Sequence, residues 1–273
     1  MTILSQQRII LTGATGGIGK ELAKQLALQG CKLGLVSRSM GKLEQLATQL
    51  TIDKKNDKKN DKANISLICA DITSSEGRQQ IIDKMESDFH GYDMLINTAG
   101  IMDFTSFIDQ SDDRIEAVFL TNVIAPMLLC KKVLPYMQVQ NKGHIVNIGS
   151  TFGSIGFAWF TSYSSSKFAL RGFSQALRRE LAQTSVKVSY IAPRAVKTSL
   201  NSNAVYDMAK EVKMNMDKPE AVAKQIVQSI IKDHKEKYIG FPESLFIRIN
   251  AIIPALVDMA TRSQNKIAEK YIQ

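Results

Sequence analysis

The chain has 273 residues, 44% of them hydrophobic, and a formal net charge of +9. A chain of that length and composition can bury one full core, and no break in composition indicates a second compact domain. The charge is dispersed, and its densest block, from Asp53 to Lys62, mixes both signs and lacks aromatic residues. We therefore interpret that block as a solvated, mobile loop and expect no nucleic-acid partner.

The three cysteines, Cys31, Cys69 and Cys130, are far apart, odd in number and set among apolar neighbours. This pattern favours reduced thiols and a cytoplasmic location, without a disulfide. The three histidines are equally scattered, so we expect no metal site. The amino-terminal residues lack the basic, apolar and small-residue segments of a secretory signal, and we expect no segment long enough to span a membrane.

The first predicted strand, from Arg8 to Leu11, runs directly into the glycine-rich sequence TGATGGIG, which opens an amphipathic helix. In a turn between a strand and a helix, Gly13 permits a tight bend and Gly17 lets a pyrophosphate approach the backbone. Gly19 permits close packing of the helix on the strand. Because the free NH groups and positive dipole end of the helix favour phosphate, the stretch predicts a dinucleotide site.

The second predicted strand, from Cys31 to Val36, ends in Ser37, Arg38 and Ser39. This strand end lies over the adenosine ribose in a dinucleotide fold, where an acidic residue binds the free 2'-hydroxyl of NAD. The sequence has no acid there, and Arg38 can instead pair with the 2'-phosphate of NADP. The alternative is an arginine that only faces solvent.

The third predicted strand, from Ile65 to Ala70, follows a helix from Lys42 to Leu50 and is closed by Asp71 and Ile72. At this position the Asp71 carboxylate could meet the adenine amino group of a nucleotide. It could equally cap the next helix, because the sequence DITSSEG resembles a helix start.

The fourth predicted strand, from Met94 to Ile96, ends in the sequence NTAG. We expect Asn97 to stabilise the carboxyl edge of the sheet and Gly100 to permit close approach of a cofactor. A long helix from about Asp112 to Tyr136 follows, with Asn122 inside its apolar face. A buried asparagine needs a hydrogen-bond partner, and we expect a water molecule or a lysine.

The stretch from His144 to Gly172 carries the groups with the clearest chemistry. A predicted strand, Ile145 to Ile148, ends before Ser150, and the next helix carries Tyr163 and Lys167 four residues apart on one face. A phenol loses its proton near pH ~10, so a tyrosine that acts as acid and base at neutral pH needs a fixed cation nearby. Lys167 is the candidate cation; the alternative is a pair on an ordinary solvated helix face.

The remaining elements continue the alternation of helix and strand. We predict a helix to Leu181, a strand from Val186 to Ile191, a helix from about Pro219 with Asp217 as its cap, and a strand near Tyr238 to Phe241. This order predicts the α/β class: one Rossmann-type, doubly wound parallel sheet of about seven strands, flanked by helices. Ligands on such sheets bind beyond the carboxyl ends of the strands.

Two apolar segments bear on the substrate. They contain the following residues: Phe157, Trp159 and Phe160 in the first, and Met208, Met214 and Met216 in the second. Together they indicate an adaptable apolar pocket roofed by a mobile segment. The alternative is that these side chains belong to the core or to a dimer contact.

Residues 243–273 follow the catalytic domain of residues 1–242 as a predicted helical extension. A single helix from Ser244 to Ala260 would carry one apolar face. The residues of that face are Leu245, Ile249, Ile252, Ile253 and Leu256. Such a face must pack on the body, on a partner subunit or on a membrane surface.

Four motifs in this order resemble the short-chain dehydrogenase/reductase family: TGATGGIG, NTAG, the serine followed by YSSSK, and PRAVKT. The resemblance covers nearly the whole chain to about Pro242 and implies a catalytic set of Asn122, Ser150, Tyr163 and Lys167. It implies that NADP(H) is bound by Gly13, Thr15, Gly16, Gly17, Ile18, Gly19, Ser37, Arg38, Asp71, Ile72, Asn97, Ala99, Gly100, Val123, Tyr163, Lys167, Pro193, Val196 and Thr198. One departure is Arg194, in place of the usual glycine after the proline of the last motif. This arginine either alters the nicotinamide loop or puts a cation beside the substrate.

The resemblance implies an NADP(H)-dependent oxidoreductase that reduces a ketone or aldehyde of an apolar or lipid-like substrate. Tyr163 would donate the proton, Ser150 would bind the carbonyl oxygen, Lys167 would bind the cofactor ribose, and Asn122 would position a water molecule beside Lys167. The alternatives are an NADP-dependent alcohol dehydrogenase working in oxidation on a hydroxysteroid-like alcohol, and a cofactor-sensing module without catalysis. We also expect a cytoplasmic homodimer or homotetramer, with the carboxyl-terminal segment as a candidate for peripheral membrane contact.

Overall fold

Parallel strands form the centre of this computed structural model, which describes residues 3–52 and 64–272. The predicted loop from Asp53 to Lys62 lies outside the described residues. The strands are β1 (Arg8–Thr12), β2 (Lys32–Ser37), β3 (Ile65–Cys69), β4 (Met94–Asn97), β5 (Gly143–Ile148), β6 (Val186–Pro193) and β7 (Glu236–Ile239). They form one sheet in the order β3-β2-β1-β4-β5-β6-β7. Because the order reverses between β1 and β4, the carboxyl ends of these two strands flank a crevice that can admit a ligand.

Helices cover both faces of the sheet. They are α1 (Gly17–Leu28), α2 (Met40–Ile52), α3 (Ser75–Phe89), α4 (Asp112–Phe119), α5 (Ala125–Val139), α6 (Thr161–Glu180), α7 (Asn203–Glu211), α8 (Pro219–Ile231), α9 (Glu243–Ile252) and α10 (Pro254–Glu269). One core cluster joins α1, α2 and α8 to the sheet through side chains such as Leu22 and Ile226. The other joins α3 and α5 to the opposite face through Ile81 and Leu129. This architecture confirms the predicted fold class.

The long helix predicted from Asp112 to Tyr136 is interrupted in the structure. A π-helical turn, Leu120–Ile124, joins α4 to α5, so residues 112–139 form one continuous helical stretch. By length and composition this stretch is long and apolar enough to cross a membrane, which corrects the expectation that no segment has that length. Its Leu129 and Val133 are fully buried in the core beside the sheet, as in the core helix of a folded domain.

Two boundaries near the carboxyl edge differ from the prediction. The N-cap residue of α8 is Lys218 rather than Asp217, because the Asp217 carboxylate accepts hydrogen bonds from Arg194 instead. β7 ends at Ile239, two residues earlier than predicted. The reason is Gly240, which turns the chain out of the sheet with a φ of +113°.

The segment expected to be a mobile roof contains the capped helix α7. The Ser202 hydroxyl accepts a hydrogen bond from the backbone NH of Val205 at 3.3 Å, which satisfies a free donor at the helix start. Val205 and Met208 are buried in one cluster with Phe160. The roof of the apolar pocket is therefore a regular amphipathic helix.

The carboxyl-terminal extension consists of two helices rather than the predicted single helix. Pro254 lacks the backbone NH that would continue α9, so the chain bends there and α10 begins. Ile247 and Val257 are buried, but most of the predicted apolar face remains open to solvent. The exposed residues of that face are Leu245, Ile252, Ile253 and Leu256.

Candidate active site

The end of β5 brings the predicted serine and tyrosine together. Ser150 lies two residues after the end of β5, and its hydroxyl accepts a hydrogen bond from the backbone NH of Phe152 at 3.2 Å. The Tyr163 phenol, in the first turn of α6, is hydrogen-bonded to Ser150. Both residues line a cleft of about 90 Å³ beyond the carboxyl ends of β5 and β6. The two hydroxyl groups can therefore meet one substrate atom.

Lys167 lies one helical turn behind Tyr163 and is equally buried. Its Nζ donates a hydrogen bond to the Ile148 carbonyl at 3.2 Å and lies 5.7 Å from the centre of the Tyr163 ring. Burial lowers the pKa of Lys167 to about 8. An ammonium group at this position is still the dominant form at neutral pH, and it faces the ring that it would have to influence.

The pKa of Tyr163 moves in the direction opposite to the sequence expectation. Burial raises this pKa to about 12, although the hydrogen bond to Ser150 opposes the rise. The dominant cause is the hydration that the phenolate loses in the cleft, and Lys167 does not offset it. In the protein alone, Tyr163 is therefore a protonated group, in the form that can donate a proton.

Asn122 makes hydrogen bonds different from those expected. Its side-chain amide donates to the Ile101 carbonyl at 2.9 Å and to the Ser166 hydroxyl at 3.0 Å, and its Oδ1 accepts from the Ile101 NH at 2.9 Å. These groups take the place of the expected water or lysine. The π-helical turn carries Asn122 into reach of both the loop after β4 and α6. Asn122 thus joins the loop after β4 to α6, the helix that carries Lys167.

Tyr190 and Ser166 are site residues that sequence reasoning missed. The Tyr190 hydroxyl donates to the Ser150 carbonyl at 3.3 Å and accepts from the Ser150 NH at 3.4 Å, so it fixes the backbone of that serine. The Ser166 hydroxyl donates to the Tyr163 carbonyl at 2.7 Å. A third serine in YSSSK hinted at Ser166, whereas no local pattern marks Tyr190 on β6.

A groove of about 190 Å³ lies beyond the carboxyl ends of β1 to β4. Nine of the predicted cofactor residues line it: Gly13, Thr15, Gly16, Ser37, Arg38, Asp71, Ile72, Ala99 and Gly100. Gly13 has a φ of +64°, and a Cβ there would lie 2.7 Å from the Ala99 Cα, so only glycine fits. The Thr15 and Ser37 hydroxyls are 2.8 Å apart and hold the first turn against β2.

Arg38 and Asp71 both line this groove, and their opposite charges attract each other. Arg38 is exposed, and within the described part of the chain its guanidinium has no hydrogen-bond or ion-pair partner. Partial burial raises the pKa of Asp71, but hydrogen bonds from Thr73 and the charge of Arg38 lower it by more. The pKa of Asp71 therefore lies below its usual range. The capping alternative for Asp71 is wrong, because Ser74 caps α3.

Four more predicted cofactor residues, Ile18, Pro193, Val196 and Thr198, line the cleft beside Tyr163 instead. A Cβ on Gly17 would lie 2.4 Å from the Thr198 methyl carbon, so the start of α1 packs closely on Thr198. A Cβ on Gly19 would lie 2.1 Å from the Gly13 carbonyl oxygen, which agrees with its expected packing role.

Besides Gly17, Gly19 and Lys167, the predicted cofactor residues Asn97 and Val123 line neither cavity. The Asn97 amide is buried and donates to the Asn147 Oδ1 at 2.9 Å, so its side chain supports the sheet edge from below. Val123 is buried in the π-helical turn. Their side chains shape the floor rather than the surface of the groove.

Arg194 forms ion pairs with two carboxylates from different segments. Its guanidinium donates to both oxygens of Asp217, at 2.8 and 3.0 Å, and to Glu243 at 2.9 Å. A guanidinium that is already paired with two carboxylates attracts a substrate only weakly. The interpretation that Arg194 puts a cation beside the substrate therefore loses its basis. The side chain instead joins the end of β6 to the start of α8 and of α9.

Four of the six apolar residues predicted for the pocket line the Tyr163 cleft, and Phe157 lines a neighbouring cavity. The four in the cleft are Phe160, Met208, Met214 and Met216. Trp159 instead donates its indole NH to the Asn265 carbonyl at 3.1 Å, on α10. The carboxyl-terminal helices therefore reach the loop that carries the pocket.

Comparison with known proteins identifies the family. The family model described as short chain dehydrogenase matches residues 7–209. The chain belongs to the short-chain dehydrogenase family. Short-chain dehydrogenases are oxidoreductases that use a nicotinamide cofactor and bind small-molecule substrates.

Relatives and solved structures agree with this assignment. An uncharacterised oxidoreductase of Staphylococcus aureus is 30% identical over 230 residues, which cover 84% of this chain and 93% of the relative. Dehydrogenase/reductase SDR family member 7B of Bos taurus is 30% identical over 273 residues, which cover 96% of this chain and 83% of the relative. A Burkholderia phymatum short-chain dehydrogenase/reductase, solved in complex with NAD, has the same fold, with a TM-score of 0.82 at 21% identity over 94% of this chain and 97% of the other. A Caenorhabditis elegans member solved with cofactor has a TM-score of 0.77 at 25% identity over 89% and 96% of the two chains.

The groove of this short-chain dehydrogenase has the features that the phosphates of a nicotinamide dinucleotide require. The missing side chain of Gly13 leaves room at the first turn, and the amino terminus of α1 opens onto the same cavity. Backbone NH groups at such a helix start attract phosphate. The cleft at Tyr163 lies beyond the next strands of the same sheet edge, within reach of the other end of a dinucleotide.

Proposed function

We propose that this protein is an NADP(H)-dependent reductase of ketones or aldehydes with an apolar or lipid-like body. The observation that carries the proposal is the joined set of Ser150, Tyr163 and Lys167 at the wall of an apolar cleft. A hydroxyl pair with a buried cation suits a reaction in which negative charge develops on an oxygen atom. The bound nicotinamide supplies the hydride.

In this proposal the chain's own residues handle the carbonyl oxygen and its proton. The Ser150 hydroxyl donates a hydrogen bond to that oxygen and stabilises the charge that develops on it. Tyr163 then donates its proton from Oη, and the Lys167 ammonium stabilises the phenolate that remains. Asn122 and Tyr190 keep the backbones around these groups fixed, so that little reorganisation is needed during the reaction.

Arg38 supports NADP rather than NAD as the cofactor. Its guanidinium is exposed at the end of β2, beside the groove, where a 2'-phosphate would lie in a dinucleotide fold. No acidic residue stands at that strand end to bind a free 2'-hydroxyl. The NAD in the Burkholderia structure belongs to a protein that shares 21% identity and does not decide the matter.

Replacement of Tyr163 by phenylalanine tests the proposal. Tyr163→Phe should lower kcat for NADPH-dependent ketone reduction by about 10²- to 10⁴-fold, because it removes the proton donor and little volume. Calorimetry should show NADPH binding unchanged. Tyr136→Phe, remote from the cleft, is the matched control and should keep wild-type turnover.

The outcomes separate the three interpretations of the sequence. Undiminished turnover by Tyr163→Phe contradicts the assigned proton donor. A wild-type protein that binds NADPH but reduces no ketone or aldehyde of a broad panel favours the cofactor-sensing module. Comparison of kcat/KM for ketone reduction and alcohol oxidation at pH 7 decides between the reductase and the hydroxysteroid-like dehydrogenase.

We propose that the protein is a homodimer through α4, α5 and α6. Apolar side chains on α5, on α6 and on the π-helical turn before α5 remain exposed in the single chain: Leu120, Ile124, Met127, Leu128 and Phe168. A contiguous apolar area of this kind is typical of a subunit interface. Native mass spectrometry should give twice the mass of the chain.

A further inference from the structure

The cleft at Tyr163 is too small for the proposed substrate. Its volume is about 90 Å³, whereas pockets for organic ligands begin near about 300 Å³. A second cavity of about 320 Å³ adjoins it. The two cavities share the wall residues Thr151, Phe152, Arg194, Ala195 and Met214, so a substrate that extends past these side chains would enter the second cavity.

The carboxyl-terminal helices form the far wall of this second cavity, which we call the tail chamber. Phe246 from α9 and Val257 and Ala260 from α10 face Phe157 and Val212 across it. These are carbon surfaces that interact well with hydrocarbon. The tail chamber thus extends the apolar surface of the cleft away from the cofactor groove.

Arg194, Glu243 and Asn215, three polar side chains of the tail chamber, bond one another, whereas Lys213 and Gln264 have no such partner within the described residues. Arg194 and Asn215 both donate to Glu243, at 2.9 and 3.0 Å, and the Thr261 hydroxyl donates to the Val257 carbonyl at 3.0 Å. A polar substrate group that enters the chamber would lose hydrogen bonds to water. Near Arg194 and Glu243 it would meet side chains that are already hydrogen-bonded to other residues. The chamber therefore favours an apolar occupant.

The wall of the tail chamber is held at both ends. Glu243 at the start of α9 pairs with Arg194, and Lys270 after α10 pairs with Glu211 of α7 at 2.8 Å. The Trp159 indole joins the middle of this span to the pocket loop. Because the wall is fixed relative to Tyr163, its side chains can select a substrate by length.

We infer that the tail chamber binds the apolar chain of an elongated ketone or aldehyde whose carbonyl lies at Tyr163. The inference rests on the proposed function and adds a substrate class to it: linear, long-chain carbonyl compounds rather than compact ones. Phe246, Val257 and Ala260 are then specificity-determining residues. Each methylene that enters the chamber should raise kcat/KM about three- to fourfold, until the chamber is full.

The test is a series of linear methyl ketones from 2-butanone to 2-dodecanone, reduced with NADPH. The wild-type protein should show the rise in kcat/KM with chain length. Ala260→Phe narrows the chamber, so it should abolish the rise in kcat/KM with chain length. Ala255 is exposed like Ala260 but does not line the chamber, so Ala255→Phe is the matched control and should keep the full rise.

Equilibrium binding makes the inference independent of turnover. Calorimetry of 2-dodecanone with the NADPH-loaded protein should show binding to the wild type and to Ala255→Phe, and at least tenfold weaker binding to Ala260→Phe. Equal binding or equal kcat/KM for 2-dodecanone in all three proteins overturns the tail chamber, even where reduction itself succeeds. Binding with this pattern but without reduction of any ketone overturns the proposed function and keeps the chamber.

Discussion

The cofactor groove and the tail chamber are built by different means. The groove lies on strand ends whose register is fixed by the sheet, such as Thr12 opposite both Val36 and Asn97, and its shape depends on absent side chains at glycines. The chamber is enclosed by side chains from the segment after α7 and from α9 and α10, held by a few ion pairs. A change in the groove must therefore move backbone, whereas a change in the chamber need only alter its size.

The largest expected effect comes from breaking the groove. Gly19→Ala puts a Cβ 2.1 Å from the Gly13 carbonyl oxygen, so α1 must move away from the first turn. We expect a loss of about 3 kcal/mol in the free energy of unfolding, and NADPH binding too weak for calorimetry. Chemical denaturation measures the first quantity.

Gly41→Ala is the matched control, because a Cβ there meets nothing within 4 Å. It should leave the free energy of unfolding within about 0.5 kcal/mol of the wild type and preserve NADPH binding. Equal behaviour of the two alanine variants would contradict the claim that backbone contact defines the groove.

A change that leaves the groove intact but reverses its charge should have the next largest effect. Arg38→Asp removes the guanidinium proposed to bind the 2'-phosphate and repels that phosphate. The kcat/KM ratio of NADPH to NADH should fall about 10- to 100-fold, as expected for a lost charge-assisted hydrogen bond. An unchanged NADPH-to-NADH ratio of kcat/KM would show that Arg38 faces solvent and does not contact the cofactor.

The pH dependence of stability should report on the sheet rather than on the chamber. Burial lowers the pKa of His144, on β5, from 6.5 to about 4. Below pH 6.5 the unfolded chain binds a proton that the folded protein does not, so stability falls as the pH decreases towards about 4. Between pH 7 and pH 5 this amounts to about 2 kcal/mol.

His144→Gln removes the titrating group and retains a side chain that can bond to Ser189, the present partner of the imidazole at 2.9 Å. Denaturation of this variant should show a smaller loss between pH 7 and pH 5. Identical slopes in the variant and the wild type would show that other groups govern stability in this range.

The smallest expected effect comes from loosening the chamber wall. Arg194→Met leaves the partly buried Asp217 and Glu243 carboxylates without their common partner. We expect a loss of about 1 kcal/mol in the free energy of unfolding and a several-fold rise in KM for long ketones, with NADPH affinity unchanged.

Lys187→Met breaks the exposed Lys187–Asp233 pair and serves as the comparison. It should change the free energy of unfolding by less than about 0.5 kcal/mol and leave KM unchanged. A parallel loss of NADPH affinity in Arg194→Met would mean that the two regions are mechanically coupled.

The groove could be predicted from the sequence because its determinants are local. Glycine spacing, strand ends and the i,i+4 pair of Tyr163 and Lys167 each act within one or two neighbouring elements. The same reasoning placed the sheet and most strands correctly. The fold class follows from such short-range patterns.

The chamber could not be predicted because its determinants are distant in sequence. Asp217 has the spacing of a helix cap, but a guanidinium 23 residues away competes for its carboxylate. Asn122 likewise bonds to Ser166 rather than to a lysine, a choice made by the packing of α6. Pro254 is a local signal for a helix break, and the prediction of a single helix from Ser244 to Ala260 overlooked it.

Trp159 is the only tryptophan in the chain, and its indole NH is bonded to the Asn265 carbonyl beside the tail chamber. Its fluorescence emission should therefore shift when α10 moves or when a ligand displaces water nearby. The protein carries an intrinsic optical probe on one side of its active site, so stopped-flow experiments can time substrate entry without a label.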